Sequence, residues 1–264
     1  MSRKTVALLL FSDIIQIMLE KFSKKLQNFY EGKAAAAELF DAHLHYAVCL
    51  KEGVCDLPEA WQGISCAHSR GEYETQKLAP ACVIQSYGMH PQNAANENIK
   101  ENTAFLEEVL KAKAISFIGE AGFDYFTDEF REASKLQEEI WNIQLELALK
   151  YNTPLVVHCR KANHKLFEYS KQLKQLPEVL FHSFMGPTVE ARSLLNRGIN
   201  AYFSFGKQLL NNNKKAIACV RELPAACILP ETDAPFQYLK GERYTAPSEI
   251  KKVIEAIKQI RTNT

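Results

Sequence analysis

A chain of 264 residues, 47% of them hydrophobic, can bury one large core, and this length suits a single barrel at least as well as two smaller domains. Its 32 Lys and Arg against 31 Asp and Glu leave a net charge of +1, which excludes a global field pulling the protein onto nucleic acid or a membrane. Any polyanion must be gripped locally, and seven scattered cysteines without a Cys-x-x-Cys pair point to a reducing, cytoplasmic setting.

The chain begins with basic Ser2-Arg3-Lys4 and an apolar run over 6–11, which imitates a secretion signal. Asp13 breaks the run, and no small-residue cleavage site follows. Phe11, Ile14, Ile15, Met18, Phe22, Leu26 and Phe29 recur instead at three- and four-residue spacing, which predicts an amphipathic helix over 6–29 packed on its own domain. Residues 1–38 therefore read as a helical extension, with the alanines at 34–37 as its link to a catalytic domain over 39–264.

From Glu38 onward, short β-rich runs alternate with longer helical patterns, the mark of successive βα units. The strand candidates are 39–45, 63–66, 83–88, 115–120, 155–158, 179–182, 201–204 and 228–232; the helical ones are 96–113, 129–151, 161–173, 187–197, 210–223 and 247–260. The short stretch between the first two strands predicts a stunted first barrel helix. An open doubly wound sheet usually carries a Gly-rich phosphate turn, and neither G-x-G-x-x-G nor a Walker sequence occurs. A (β/α)8 barrel of the TIM type collects side chains from many strand ends into one site, and five of the eight strand ends here carry metal-ligating groups.

The first of these is Asp41-Ala42-His43-Leu44-His45, where strand alternation points the two imidazoles at i and i+2 the same way. Taken singly, such a pair is as well read as a hydrogen-bonded or surface pair as a metal site. Glu120 ends the fourth strand between glycines; His158 follows Leu155-Val156-Val157, with Arg160 two residues on. His182 closes the sixth strand and Asp233 follows the eighth. Each alone fits a satisfied core or loop residue. Together, four histidines and two carboxylates converging on one barrel mouth would be costly to dehydrate without bound cations.

These residues give the sequence its resemblance to the TatD-like metal-dependent deoxyribonucleases of the amidohydrolase superfamily. It runs from Phe40 to about Ile260, through D-A-H-L-H at 41–45, G-M-H-P at 88–91, I-G-E-A-G-F-D-Y at 118–125, V-H-C-R at 157–160, H-S-F-M-G at 182–186, Y-F-S-F-G at 202–206 and E-T-D-A-P at 231–235. The resemblance implies that His43, His45 and Asp233 hold one divalent metal, His158 and His182 a second, and that Glu120 bridges them. It implies catalytic roles for Asp233, as ligand and proton acceptor, and for Glu120. It also places His90 and Arg160 against the substrate, and Asp124 and Glu231 behind the ligands, orienting them or Arg160. His68 and His164 match no such position and read as ordinary loop or helix residues, and Cys159 reads as packing.

The implied activity is two-metal hydrolysis of DNA phosphodiesters, acting as an exonuclease on single strands or ends, with Mg, Mn, Zn or Ni not distinguished. Metal-dependent ester hydrolysis on aminoacyl-tRNA or another small ester is the alternative within the same chemistry; a noncatalytic metal-binding scaffold is the alternative outside it. A monomer without membrane association is expected. The forty or so leading residues, and an end soon after Ile260, depart from the family's usual outline. The expectation is that the 6–29 helix covers the barrel surface a terminal segment would cover.

Overall fold

The structure, a computed structural model, describes residues 39–262; the expected helix over 6–29 and the domain boundary at 38 lie outside the described residues. Eight parallel strands pair in chain order: β1 Leu39–Leu44, β2 Trp61–Ala67, β3 Val83–Tyr87, β4 Phe117–Asp124, β5 Leu155–Arg160, β6 Val179–Phe181, β7 Ala201–Phe205 and β8 Ile228–Pro230. The intervening helices are α1 Tyr46–Glu52, α2 Arg70–Gln76, α3 Ile99–Lys111, α4 Asp128–Glu132, α5 Ser134–Tyr151, α6 Asn163–Glu168, α7 Ser170–Leu173, α8 Thr188–Asn196, α9 Lys214–Glu222 and α10 Ile250–Thr262. Helices on the outside of a parallel sheet force it to curl, and the sheet forms a nearly closed (β/α)8 barrel.

Closure between β8 and β1 depends less on a ladder than on side chains. One parallel bridge joins Leu44 to Ala234. Below it, the buried carboxylate of Asp41 accepts from the Thr232 amide at 2.9 Å and from its hydroxyl at 2.6 Å. Asp233 N–H donates to the His43 carbonyl and His45 N–H to that of Ala234, so the two strands that carry ligands hold each other.

The core has two layers. Phe40, Ala42, Ile64, Cys66, Ile84, Phe117, Val156, Leu180 and Leu229, with Tyr202 against them, supply at least one residue from every strand and fill the barrel interior. The alternate positions, such as Ile118, Phe123, Val157, Phe181 and Phe203, face outward onto Leu106, Trp141, Ala148 and Leu194 of the helices. Phe, Leu and Ile at such positions each contribute roughly 1.5–3 kcal/mol of burial.

Some element boundaries differ from the sequence reading. The first barrel helix is short, as expected: α1 has seven residues and ends on Gly53 in the left-handed region. α2 was not anticipated; its seven residues start on a Ser69 cap and hold too few turns to display a stripe. The helix expected over 129–151 breaks at Ala133, where the buried Gln137 Nε2 takes the Phe130 carbonyl at 2.8 Å. That over 161–173 breaks at Tyr169. Glu120 does not end its strand: β4 runs four residues further, to Asp124.

Candidate metal centre

Two kinds of strand deliver the candidate ligands. In β5, β6 and β8 the side chain two residues after an interior hydrophobe also faces inward, by simple alternation. Val156 thus precedes His158, Leu180 precedes His182, and Leu229 precedes Glu231; Asp233 lies beyond β8 at φ +53°, tied to β1 by its N–H bond to the His43 carbonyl. In β1 and β4 alternation alone would fail. With Phe40 and Ala42 inside, His43 would face outward; with Phe117 inside, so would Glu120.

An extra residue in each strand changes the parity. Asp41 pairs with Gly63 and Leu44 with Ser65, three steps against two. Likewise Ile118 pairs with Leu155 and Ala121 with Val157. Such bulges re-aim side chains. Leu44 is thereby moved to the outer packing with Trp61 and Ile250, and Ala121 and Phe123 to the outer core, while His43, Glu120 and Asp124 turn inward. The β4 bulge needs Gly119, and the strand just past it needs Gly122. Gly119 and Gly122 have φ of +131° and +143°, and a Cβ on either would stand 2.3 Å and 2.0 Å from the carbonyl oxygens of Val156 and His158. A side chain tolerates neither the dihedral nor the approach.

At the mouth the carboxylate of Glu120 divides two sets of nitrogens. Its Oε2 lies 3.3 Å from His43 Nε2 and 3.4 Å from His45 Nε2. Its Oε1 lies 3.2 Å from His158 Nδ1 and 2.5 Å from His182 Nε2. Asp233 Oδ1 joins the first set, 3.5 Å and 3.3 Å from the same His43 and His45 atoms, which are themselves 3.2 Å apart. In the second set His158 Nδ1 and His182 Nε2 are 3.1 Å apart.

Lone pairs crowded this closely have too few protons among them to satisfy one another. Around a tetrahedral cation with metal–nitrogen distances of about 2.0–2.1 Å, ligand atoms stand roughly 3.3 Å apart. The donor types and spacing therefore fit divalent-cation binding.

The far sides of the imidazoles are also held. His158 Nε2 contacts Asp124 Oδ2 at 2.9 Å, and Gln92 Nε2 donates to the same oxygen at 2.7 Å. Gln137 fixes the Asp124 backbone by accepting from its N–H and donating to its carbonyl. His45 Nδ1 faces the Cys66 carbonyl at 3.2 Å, and the Cys66 thiol lies 3.5 Å from His43 Nδ1. Glu231 accepts from Ser204 Oγ at 2.6 Å and from the Ser183 amide, with His182 Nδ1 at 3.9 Å. A carboxylate or carbonyl behind a ligating imidazole sets its tautomer and raises its basicity.

Burial sets the electrostatics. It would raise the Glu120 carboxyl, but His182, His43 and His90 outweigh it and hold the group well below the usual carboxylate range. Burial lowers His43 to about 4 and His90 to about 3, Glu120 offsetting only part of the loss. Burial opposes the His182 imidazolium too, yet Glu120 beside it prevails and lifts it to about 9. Glu231 is pushed up to about 7 by burial, His182 pulling the other way. His43 is thus held neutral, whereas His45, His158 and His182 are raised despite burial by their carboxylate partners, so a cation at those nitrogens would take the place of protons.

The structure brings all six candidate ligands into one cluster. His90 Nε2 lies 3.6 Å from Glu120 Oε1, its Nδ1 accepting from the Gln92 amide, and Arg160 lines the same 580 Å³ cavity. Asp124 and Glu231 stand behind ligands as described, and Asp124 is also the cross-strand partner of Arg160 in the β4–β5 register. His164 stays outside on α6, 6.0 Å ring to ring from Tyr125, and the thiol of the half-buried Cys159 is pushed up beyond useful nucleophilicity by desolvation.

His68 corrects the sequence reading. It is no ordinary loop residue: its Nε2 lies 3.1 Å from Glu120 Oε2, and its ring meets those of His45 and His90. The signal was present but misplaced, because the strand was ended at Cys66 whereas β2 reaches Ala67. Gln237 was also missed; it donates to Asp233 Oδ2 at 2.9 Å and to Ser183 Oγ at 2.6 Å, steadying the aspartate. Its isolated amide carries no sequence signature.

Known proteins share this chain's pattern. A family model described as TatD related DNase matches residues 27–264. The protein named uncharacterized metal-dependent hydrolase YabD, of Bacillus subtilis, is 30% identical over 187 residues, 69% of this chain and 71% of the relative. The 3'-5' ssDNA/RNA exonuclease TatD of Escherichia fergusonii is 28% identical over 206 residues, 73% and 76% of the two chains. Among solved structures, the TatD homologue YJJV from Escherichia coli K12 superposes with a TM-score of 0.72 at 21% identity, over 87% of this chain and 96% of that one, a likeness of fold. The chain belongs to the TatD related DNase family, as a metal-dependent hydrolase.

Proposed function

We propose that this protein hydrolyses phosphodiester bonds of single-stranded nucleic acid, DNA in the first instance, working from an end with two divalent ions. The observation that carries the reading is the Glu120 carboxylate, one oxygen toward His43, His45 and Asp233, the other toward His158 and His182. The substrate class is supported by the relative named as a 3'-5' ssDNA/RNA exonuclease.

When bound, divalent ions supply Lewis acidity to a phosphoryl oxygen and a stronger nucleophile from water at neutral pH. The side chains do the rest. Asp233, 13% exposed and steadied by Gln237, faces both the first nitrogen set and the cavity, so its carboxylate takes the proton of the attacking water. Arg160 presents a planar, permanently charged fork to a non-bridging phosphate oxygen. His90 and His68 line the side of the cavity nearest Glu120 and position the substrate or its water. The dry layer of Phe117, Val156, Leu180 and Leu229 beneath keeps bulk water from screening these charges.

The test is hydrolysis of an end-labelled single-stranded DNA oligonucleotide by chelator-treated protein, with magnesium, manganese, zinc or nickel restored, beside Asp233→Asn. Stepwise shortening that requires metal and falls at least about a hundredfold in Asp233→Asn is expected. Absence of cleavage with every metal, with hydrolysis of a charged tRNA or small ester instead, would overturn it.

A further inference from the structure

Eight large hydrophobic side chains are exposed among the described residues, and all three aromatic ones stand at the barrel mouth: Phe126 at 48%, Phe236 at 47% and Tyr238 at 57%. Exposed aromatic surface concentrated at one opening marks a binding surface. Phe236 and Tyr238 lie on the loop after β8 and line the cavity, the Phe236 ring packing edge-on at 5.1 Å against that of His45. Phe126 follows β4 and lies under the Arg160 guanidinium, 3.5 Å from the ring centroid. Strands pair in order around the barrel, so the loop after β8 stands across the mouth from those after β4 and β5.

The β8 loop is built to hold its rings out. Gln237, at φ +53°, sends its side chain inward to Ser183 and Asp233 while its two neighbours face solvent. Farther along, the buried Lys207 pairs with Glu242 at 2.5 Å and Glu249 at 2.6 Å, and Glu242 accepts from the Leu239 amide at 2.8 Å. A loop tied at both ends loses little freedom when a ligand arrives. Lys207 being neutralised, Arg160 is the one Lys or Arg of the cavity lining with no carboxylate partner among the described residues. Backbone charge alone therefore gives a polyanion little hold.

We propose that Phe236 and Tyr238 on one side, and Arg160 stacked on Phe126 on the other, form a base-stacking clamp for the last unpaired bases of a nucleic-acid strand. Every base has an aromatic face, so the clamp grips ends without reading sequence, and a paired end must unstack before entering. The assignment rests on the nucleic-acid reading above, and its test separates the two.

The experiment uses single-stranded DNA carrying 2-aminopurine, or an abasic tetrahydrofuran residue, at the terminal position of either end. Equilibrium binding is followed by fluorescence in calcium, and hydrolysis is followed separately with the activating metal. The variants are Tyr238→Leu, Phe126→Leu and the conservative Tyr238→Trp. Stacking predicts quenching of 2-aminopurine on binding and a KM about tenfold higher for the abasic end. Tyr238→Leu and Phe126→Leu should raise KM for the base-bearing end by a similar factor and erase the preference over the abasic end, and Tyr238→Leu, which does not touch Arg160, should leave kcat within about twofold; Tyr238→Trp should restore the preference.

Equal KM for base-bearing and abasic ends in the parent protein and both leucine variants overturns the clamp while hydrolysis upholds the function. Quenched, Tyr238-dependent binding without hydrolysis upholds the clamp and overturns the function. Neither binding nor hydrolysis overturns both.

Discussion

β5 and β6 differ from β1 and β4 in how they bring a candidate ligand to the barrel mouth. In β5 and β6 the interior hydrophobe and the histidine two residues later share a face, as any extended strand dictates. In β1 and β4 the inward-facing His43 and Glu120 sit at the wrong parity, and a bulge corrects them. A bulge leaves ladder groups unpaired and sharpens the local twist, so it persists only where something is gained. Here it leaves an unbroken apolar floor below and inward-facing charge directly above, on the same strands. The bulged strands also carry Glu120, which faces both nitrogen sets, and Asp124, which holds His158 of a regular strand.

Four substitutions break or sharpen this contrast, in falling order of effect. Gly119→Ala, inside the β4 bulge, forces a Cβ to 2.3 Å from the Val156 carbonyl oxygen at a φ of +131°, so the bulge cannot survive intact. Strain and overpacking together should cost about 3 kcal/mol or more and abolish hydrolysis, seen as a large drop in Tm with loss of activity. A variant as stable and active as the parent would mean that the bulge is not needed to aim Glu120.

Leu180→Ala, in the floor beneath regular β6, should cost about 2–5 kcal/mol by denaturant titration. The folded fraction should keep hydrolysis within a few-fold, because His182 is aimed by alternation and not by strain.

Asp124→Asn crosses the two regions. It keeps the shape but weakens the contact to His158 Nε2, now 2.9 Å, and should lower metal affinity or activity by about 10- to 100-fold with little change in Tm. Isothermal titration with zinc measures it; unchanged affinity would mean that β5 orients His158 unaided.

The smallest effect lies outside the barrel. Hydrogen bonds from Lys150 at 2.6 Å and Tyr151 at 2.9 Å hold the half-buried Glu107 carboxyl on α3 down to about 2. A depressed folded value means that the stabilisation is full above the unfolded value, near 4.5, and is lost as pH falls toward 2. Glu107→Gln should therefore lower Tm by about 1–2 °C at pH 7, with a difference that vanishes at pH 2–3 and no effect on hydrolysis.

All six candidate ligands were named from the sequence, but the direction in which a side chain faces was legible only on the regular strands. Val156 before His158 and Leu180 before His182 display the period-2 rule directly, and the apolar runs placed all eight strands near their observed positions. His68 was lost through a one-residue error in the end of β2, and Gln237 because an amide on a loop has no periodicity to betray it. The break at Ala133 was invisible for a related reason: it depends on where the Gln137 side chain finds its partners.

By itself, then, the sequence determined the barrel, the donor types and their order along the chain, because alternation, helical spacing and ligand chemistry are local properties. Only the tertiary structure decided the parity of His43 and Glu120, the division of the Glu120 oxygens between two nitrogen sets and the placing of aromatic rings across the mouth. A bulge is a count of residues in one strand against its neighbour. No single strand's sequence contains that count, since it exists only once the two strands pair.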